Sequence, residues 1–141
     1  MLETGADMLR AVRDEGEKAY PNECCGFVLG TFMEDGRRKI ETFFPMDNAR
    51  EAEEQYHRFK IEPEDFMRVE KEVRVRNLDV IGFYHSHPDH PAQPSDYDRE
   101  HALPFYSYII VSVEGGKARD ITSWELAADR AAFTEEEILW R

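Results

Sequence analysis

Residues 79–88 read Asp79-Val80-Ile81-Gly82-Phe83-Tyr84-His85-Ser86-His87-Pro88, an apolar and aromatic run ending in two histidines one residue apart. Asp79 to His85, with Val80, Ile81, Phe83 and Tyr84, reads as a central strand. Residues i and i+2 of a strand point to one face, so His85 and His87 present two imidazoles side by side at its end, a chelating arrangement. Downstream, residues 88–94 hold three prolines and form a rigid loop, and Ser95 to Ala102 reads as a short helix stopped near Pro104. Phe105 to Val113 is the most strand-like segment, Gly115-Gly116 makes a turn, and two further strands are expected at Ala118 to Leu126 and near Phe133 to Leu139.

Upstream, residues 3–19 carry Met8, Leu9, Val12 and Ala19 among charges, the stripe of an amphipathic helix that Pro21-Asn22 ends. Cys25 to Phe32 is apolar on both faces, an interior strand, and Glu34-Asp35-Gly36 turns it back into a second strand from Lys39 to Phe44. Residues 47–55 read as a solvated loop and Tyr56 to Ile61 as a short strand. Pro63 followed by Glu64 and Asp65 starts a helix whose buried stripe is Phe66, Val69, Val73 and Leu78. Strands and helices in this order predict an α/β or α+β domain with a mixed sheet, and the length suits a single domain over residues 1–141.

The formal charge is 18 − 30 = −12, which excludes functions resting on wrapping nucleic acid or lying on an anionic membrane. No apolar stretch approaches the roughly 18 residues of a membrane span, and residues 1–22 lack the apolar block of a secretory signal. A cytoplasmic protein is expected. Cys24 and Cys25 are adjacent, so they build no disulfide framework and read as small buried hydrophobes.

Four of the five histidines fall between positions 85 and 101. Ser95 and Asp98 are spaced i, i+3 at a helix start, so both lie on one face. Taken alone the pair reads as a capping box, with Asp98 where Glu or Gln is usual; Ser95 can serve both as a cap and in a site, whereas a capping and a ligating Asp98 conflict. Two neutral imidazoles and one carboxylate leave a fourth tetrahedral position open, the layout of catalytic zinc, which lowers the pKa of bound water toward about 7 and polarises a carbonyl. Such a site also needs a base. Glu23, just before the strand that begins at Cys25, is a candidate that nothing in its own surroundings separates from the other acids. A zinc deaminase needs two cysteines spaced by two residues, which Cys24-Cys25 does not supply. A cupin would place a glutamate where Pro91 and Ala92 stand, and a non-haem iron site does not usually pair His-x-His with a distant Asp.

His85-Ser86-His87, seven residues, Ser95, two residues and Asp98, with Glu23 upstream of an apolar strand, resembles the JAMM (MPN-plus) metalloprotease signature. The similarity extends over Glu23 to Gly30, over Asn48 to Pro63 with Arg58-Phe59, and from Gly82 through Ala92-Gln93-Pro94-Ser95, as in the compact prokaryotic branch. The resemblance implies a curved mixed sheet flanked by helices, of the cytidine-deaminase-like type. It implies that His85, His87 and Asp98 hold one zinc ion, that Glu23 moves the proton of the attacking water, and that Ser95 hydrogen-bonds the oxyanion. The implied substrate is an amide or isopeptide bond after the C-terminal Gly-Gly of a ubiquitin-like or sulfur-carrier protein, including release of cysteine from the carrier. The alternative is a non-catalytic module of the same fold that binds such a protein, although no ligand position is missing. A homodimer is left open. His90 reads as a solvated loop residue, His101 as a packed one, Trp124 and Trp140 as core or edge-strand residues, and the acidic runs 51–54 and 135–137 as solvated faces.

Overall fold

The computed structural model describes residues 1–46 and 63–140. The elements are β1 (Leu2–Thr4), α1 (Ala6–Ala19), β2 (Cys25–Phe32), β3 (Arg38–Met46), α2 (Pro63–Arg76), β4 (Asp79–Pro88), α3 (Asp96–His101), β5 (Ser107–Glu114), β6 (Lys117–Leu126), β7 (Phe133–Glu136) and β8 (Ile138–Trp140). The expected loop at 47–55, the strand at Tyr56 to Ile61 and the acids 51–54 lie outside the described residues.

The strands form one mixed sheet in the order β7-β6-β5-β4-β2-β3-β1-β8. β4 runs antiparallel to β2 and parallel to β5, which puts the His-x-His end of β4 beside Cys25 on one side and Ile110 to Val113 on the other. As expected, β2 is buried on both faces, because the sheet has a core on each side. On one, Val12 of α1 packs with Val28, Ile81, Tyr84, Ile109 and Val111. On the other, Val69 of α2 packs with Phe27, Leu29, Phe83 and Tyr108, and the Phe66 ring meets Phe27 edge-on at 5.0 Å. A bulge sets this division: Val28 pairs Gly82 but Leu29 pairs Val80, so Ile81 is the extra residue and joins Tyr84 on the α1 side. Gly26 is required beside it, since a Cβ there would stand 2.5 Å from both the Phe44 carbonyl and the Tyr84 ring. No helix among the described residues is long and apolar enough to cross a membrane.

Several sequence expectations are corrected. The first helix begins at Ala6, and Leu2–Thr4 is instead a strand paired parallel with β3 and β8. The central strand runs on through Pro88, because His87 and Pro88 pair with Ser112 and Val113. The single strand expected near Phe133 to Leu139 is two strands at opposite ends of the sheet order, separated by Glu137 alone. The sheet therefore curls until its ends nearly meet. Arg38 of β3 crosses the gap, donating from Nη1 to Ser107 Oγ (2.9 Å) and Glu125 Oε1 (2.7 Å) and from Nη2 to the Phe105 carbonyl (2.7 Å). Glu136, expected on a solvated face, is buried there, with the Met1 amine 3.1 Å away and Ser123 Oγ donating to it at 2.7 Å.

Candidate metal centre and active site

The carboxyl end of β4 brings His85 and His87 to the α2 side of the sheet, and α3 lays Asp98 against them. His85 Nε2 and His87 Nε2 are 3.0 Å apart, and Asp98 Oδ2 lies 3.3 Å from the first and 3.1 Å from the second. All three side chains are at most 8% exposed. His87 Nδ1 is 2.9 Å from the Pro91 carbonyl. A carbonyl only accepts, so Nδ1 carries the proton and a neutral His87 turns the Nε2 lone pair inward. Burial pushes the pKa of His85 below its ordinary value despite the opposing pull of Asp98, which keeps this imidazole neutral as a metal ligand must be. Burial works against ionisation of Asp98, but in acid, where the imidazoles carry protons, the charges and N–H groups of His85 and His87 outweigh it and hold the carboxyl below the usual range.

With His87 Nε2 and Asp98 Oδ2 both turned on one point as acceptors, the cluster repels unless a proton on His85 Nε2 or a cation lies among them. Ligands about 2.0–2.1 Å from zinc at tetrahedral angles stand about 3.3 Å apart. The observed 3.0–3.3 Å and the chemistry of a donor set of two imidazoles and one carboxylate fit that ion.

Asp98 does not have to choose between cap and cluster. Ser95 Oγ accepts from the Asp98 amide (3.0 Å) while Asp98 Oδ2, the oxygen that faces the imidazoles, accepts from the Ser95 amide (2.9 Å). The capping box is complete, and because a carboxylate oxygen has two lone pairs it also aims Asp98. The Ser95 hydroxyl is left with its own proton to donate. Glu23 and Ser95 line, together with His87, His90, Pro91, Gln93 and Tyr97, a cleft of about 450 Å³. Glu23 is 6% exposed.

Glu23 reaches this cleft through a residue the sequence analysis passed over. Ser86, between the two histidines, points to the opposite face; its Oγ accepts from the Cys24 amide (2.8 Å) and its amide donates to the Cys24 carbonyl (3.1 Å). The period-two alternation that groups the histidines is the signal that could have singled it out. Cys24 and Cys25 are buried free thiols, as expected; burial and then the Glu15 charge push Cys24 up to about 12, so it carries no thiolate. His90 is exposed at the cleft. His101 is not packed as expected but exposed, stacked on Tyr97 at 4.0 Å, because α3 turns only the Asp98 side chain inward and no residue of it is buried as a whole.

Residues 5–127 match the family of prokaryotic homologs of the JAB domain. The chain is 33% identical over 96 residues to desampylase of Haloferax volcanii, covering 67% of this chain and 66% of that protein's length. It is 25% identical over 134 residues to CysO-cysteine peptidase of Mycobacterium tuberculosis, covering 94% and 86% respectively. A solution structure of a protein from Salinibacter ruber superposes with a TM-score of 0.78 at 39% identity, covering 99% of this chain and 91% of that one. A match over residues 5–127, on a sheet that brings His85 and His87 of β4 together with Asp98 of α3 as a group able to hold a metal ion, makes the chain a member of the prokaryotic JAB-domain family.

Proposed function

We propose that this chain is a zinc-dependent peptidase or isopeptidase that hydrolyses the amide bond after the C-terminal Gly-Gly of a ubiquitin-like sulfur-carrier protein, releasing cysteine or an amine. The observation that carries the proposal is the convergence of His85, His87 and Asp98 within 3.0–3.3 Å beside a cleft that His87, Glu23 and Ser95 line. Relatives named as a desampylase and a CysO-cysteine peptidase support the substrate class.

In this mechanism His85, His87 and Asp98 hold the ion. When bound, zinc lowers the pKa of a water toward about 7 and polarises the scissile carbonyl. The Glu23 carboxylate accepts the water's proton and returns it to the leaving nitrogen, a general acid–base role. The Ser95 hydroxyl donates to the carbonyl oxygen as negative charge gathers there, where the contact is worth most. An extended Gly-Gly tail suits a cleft walled by Pro91 and Pro94, since side chains on the tail would need space that glycine does not. The net charge of −12 favours a carrier with a basic or apolar docking face.

The test is turnover of carrier–cysteine and carrier–lysine adducts by the zinc-loaded protein and its Glu23→Gln variant. The variant should keep zinc and lose about 10²-fold or more in turnover. Equal rates in the two proteins refute the role of Glu23. A zinc-loaded wild type that binds the carrier without cutting it makes the chain a binding module, and equal cleavage of peptides lacking Gly-Gly removes the carrier assignment.

A further inference from the structure

The loop that supplies the acceptor for His87 is held from β6. Trp124 Nε1 donates to Thr122 Oγ1 (2.8 Å), and Thr122 Oγ1 donates to the Ala92 carbonyl (2.6 Å). The amide on the other side of that peptide unit, Gln93 N–H, donates to the Pro91 carbonyl at 2.8 Å. That same carbonyl accepts from His87 Nδ1 at 2.9 Å. The Ala92–Gln93 peptide is planar, so fixing its C=O fixes the direction of its N–H. An unbroken series of hydrogen bonds thus runs from an indole on β6 to an imidazole on β4. Ala92 is 4% exposed, so its carbonyl has little access to water as a substitute partner.

We propose that Thr122 is a positioning residue. By clamping the Ala92 carbonyl it sets the Pro91 carbonyl against His87 Nδ1, which locks His87 as the Nδ1–H tautomer and aims Nε2 at His85 and Asp98. A hydroxyl is the group that suits this place, because it accepts from the indole and donates to the carbonyl at once. Valine has the same shape and does neither. The consequence for metal binding rests on the proposed ligand role of His87; the consequence for the tautomer does not.

The experiment compares full-length wild type, Thr122→Val and Thr122→Ser. Imidazole ¹⁵N shifts of His87 in the metal-free protein report its tautomer, and chelator competition reports zinc affinity. Wild type and Thr122→Ser should show the single Nδ1–H tautomer and zinc affinities within about threefold of each other. Thr122→Val should show mixed tautomers and bind zinc about 10-fold more weakly, in the range for residues that orient a ligand. A purely structural role would lower the thermal midpoint of Thr122→Val and leave both readouts unmoved. A single Nδ1–H tautomer in Thr122→Val, or wild-type zinc affinity in it, overturns the proposal. Should the valine variant not fold, Thr122→Ala is read by the same criteria. A wild type that binds no zinc refutes the proposed function instead, and the tautomer measurement then decides the clamp by itself.

Discussion

Ser95 holds two positions at once, and its replacements separate them. Its Oγ accepts from the Asp98 amide at 3.0 Å, one of the two reciprocal bonds of the capping box. α3 has six residues, none buried as a whole, and the Asp98 side chain alone packs inward, so the box carries much of what orders Asp98. Ser95→Ala removes the Oγ bond, which costs about 1 kcal/mol for an N-cap. If that cost falls wholly on ordering Asp98, zinc affinity drops about 5-fold, since about 1.4 kcal/mol is tenfold. Loss of a hydroxyl that donates to the developing oxyanion instead lowers kcat about 10²–10³-fold. Ser95→Gly costs an N-cap only a few tenths of a kcal/mol and leaves no side-chain donor at all. Chelator competition should therefore place the glycine variant within about twofold of wild type, while its kcat on the carrier adduct stays low. A glycine variant that recovers kcat along with zinc would show that Ser95 acts only as a cap, and an alanine variant with wild-type kcat would refute the oxyanion role outright.

Two further outcomes concern stability. Arg38→Met removes the cation that bridges Ser107, Glu125 and Glu136 across the gap in the sheet, with Glu136 5% exposed in its side chain. Breaking a buried pair costs about 3–5 kcal/mol, and because the Met1 amine and Ser123 still serve Glu136 the loss in urea unfolding should lie near about 3; a loss below about 1 refutes the closure role. Burial raises the Glu15 carboxyl above its ordinary 4.5, although the Tyr84 hydroxyl donates to it at 2.5 Å. The native state thus binds that proton more tightly than the unfolded chain, a stabilisation that is full below pH 4.5 and lost as pH rises through the raised folded value. Glu15→Gln keeps an acceptor without the charge, so its denaturation midpoint should exceed wild type at pH 7 and the gap should close toward pH 4.5; a gap that is absent or widens in acid refutes the account.

Much of the fold was legible where a short-range period does the work. The both-face apolar run of Cys25–Phe32 became a strand covered on each side, and Pro63-Glu64-Asp65 opened α2. The histidine pair also followed from alternation along β4, and Asp98 from the i, i+3 spacing on α3. The conflict expected between capping and facing the imidazoles disappeared because a single oxygen, Oδ2, serves both.

By itself, then, the sequence determined the residues whose directions follow from their neighbours along the chain: His85 with His87, Ser95 with Asp98, and the stripes that cover each face of the sheet. Tertiary structure alone decided what depends on pairing between distant segments. Glu23 reaches the cleft because Cys24 bonds Ser86, 62 residues away. His87 takes its tautomer from the Pro91 carbonyl, and the chain leaves β7 for β8 at Glu137 because the curled sheet presents β1 there. Glu136 sits in an acidic run that reads as solvated, yet closure buries it against Arg38 and Met1. Side-chain direction is set by local backbone geometry, whereas register, closure and the burial of a charge are set by which surfaces meet, and no local period encodes that.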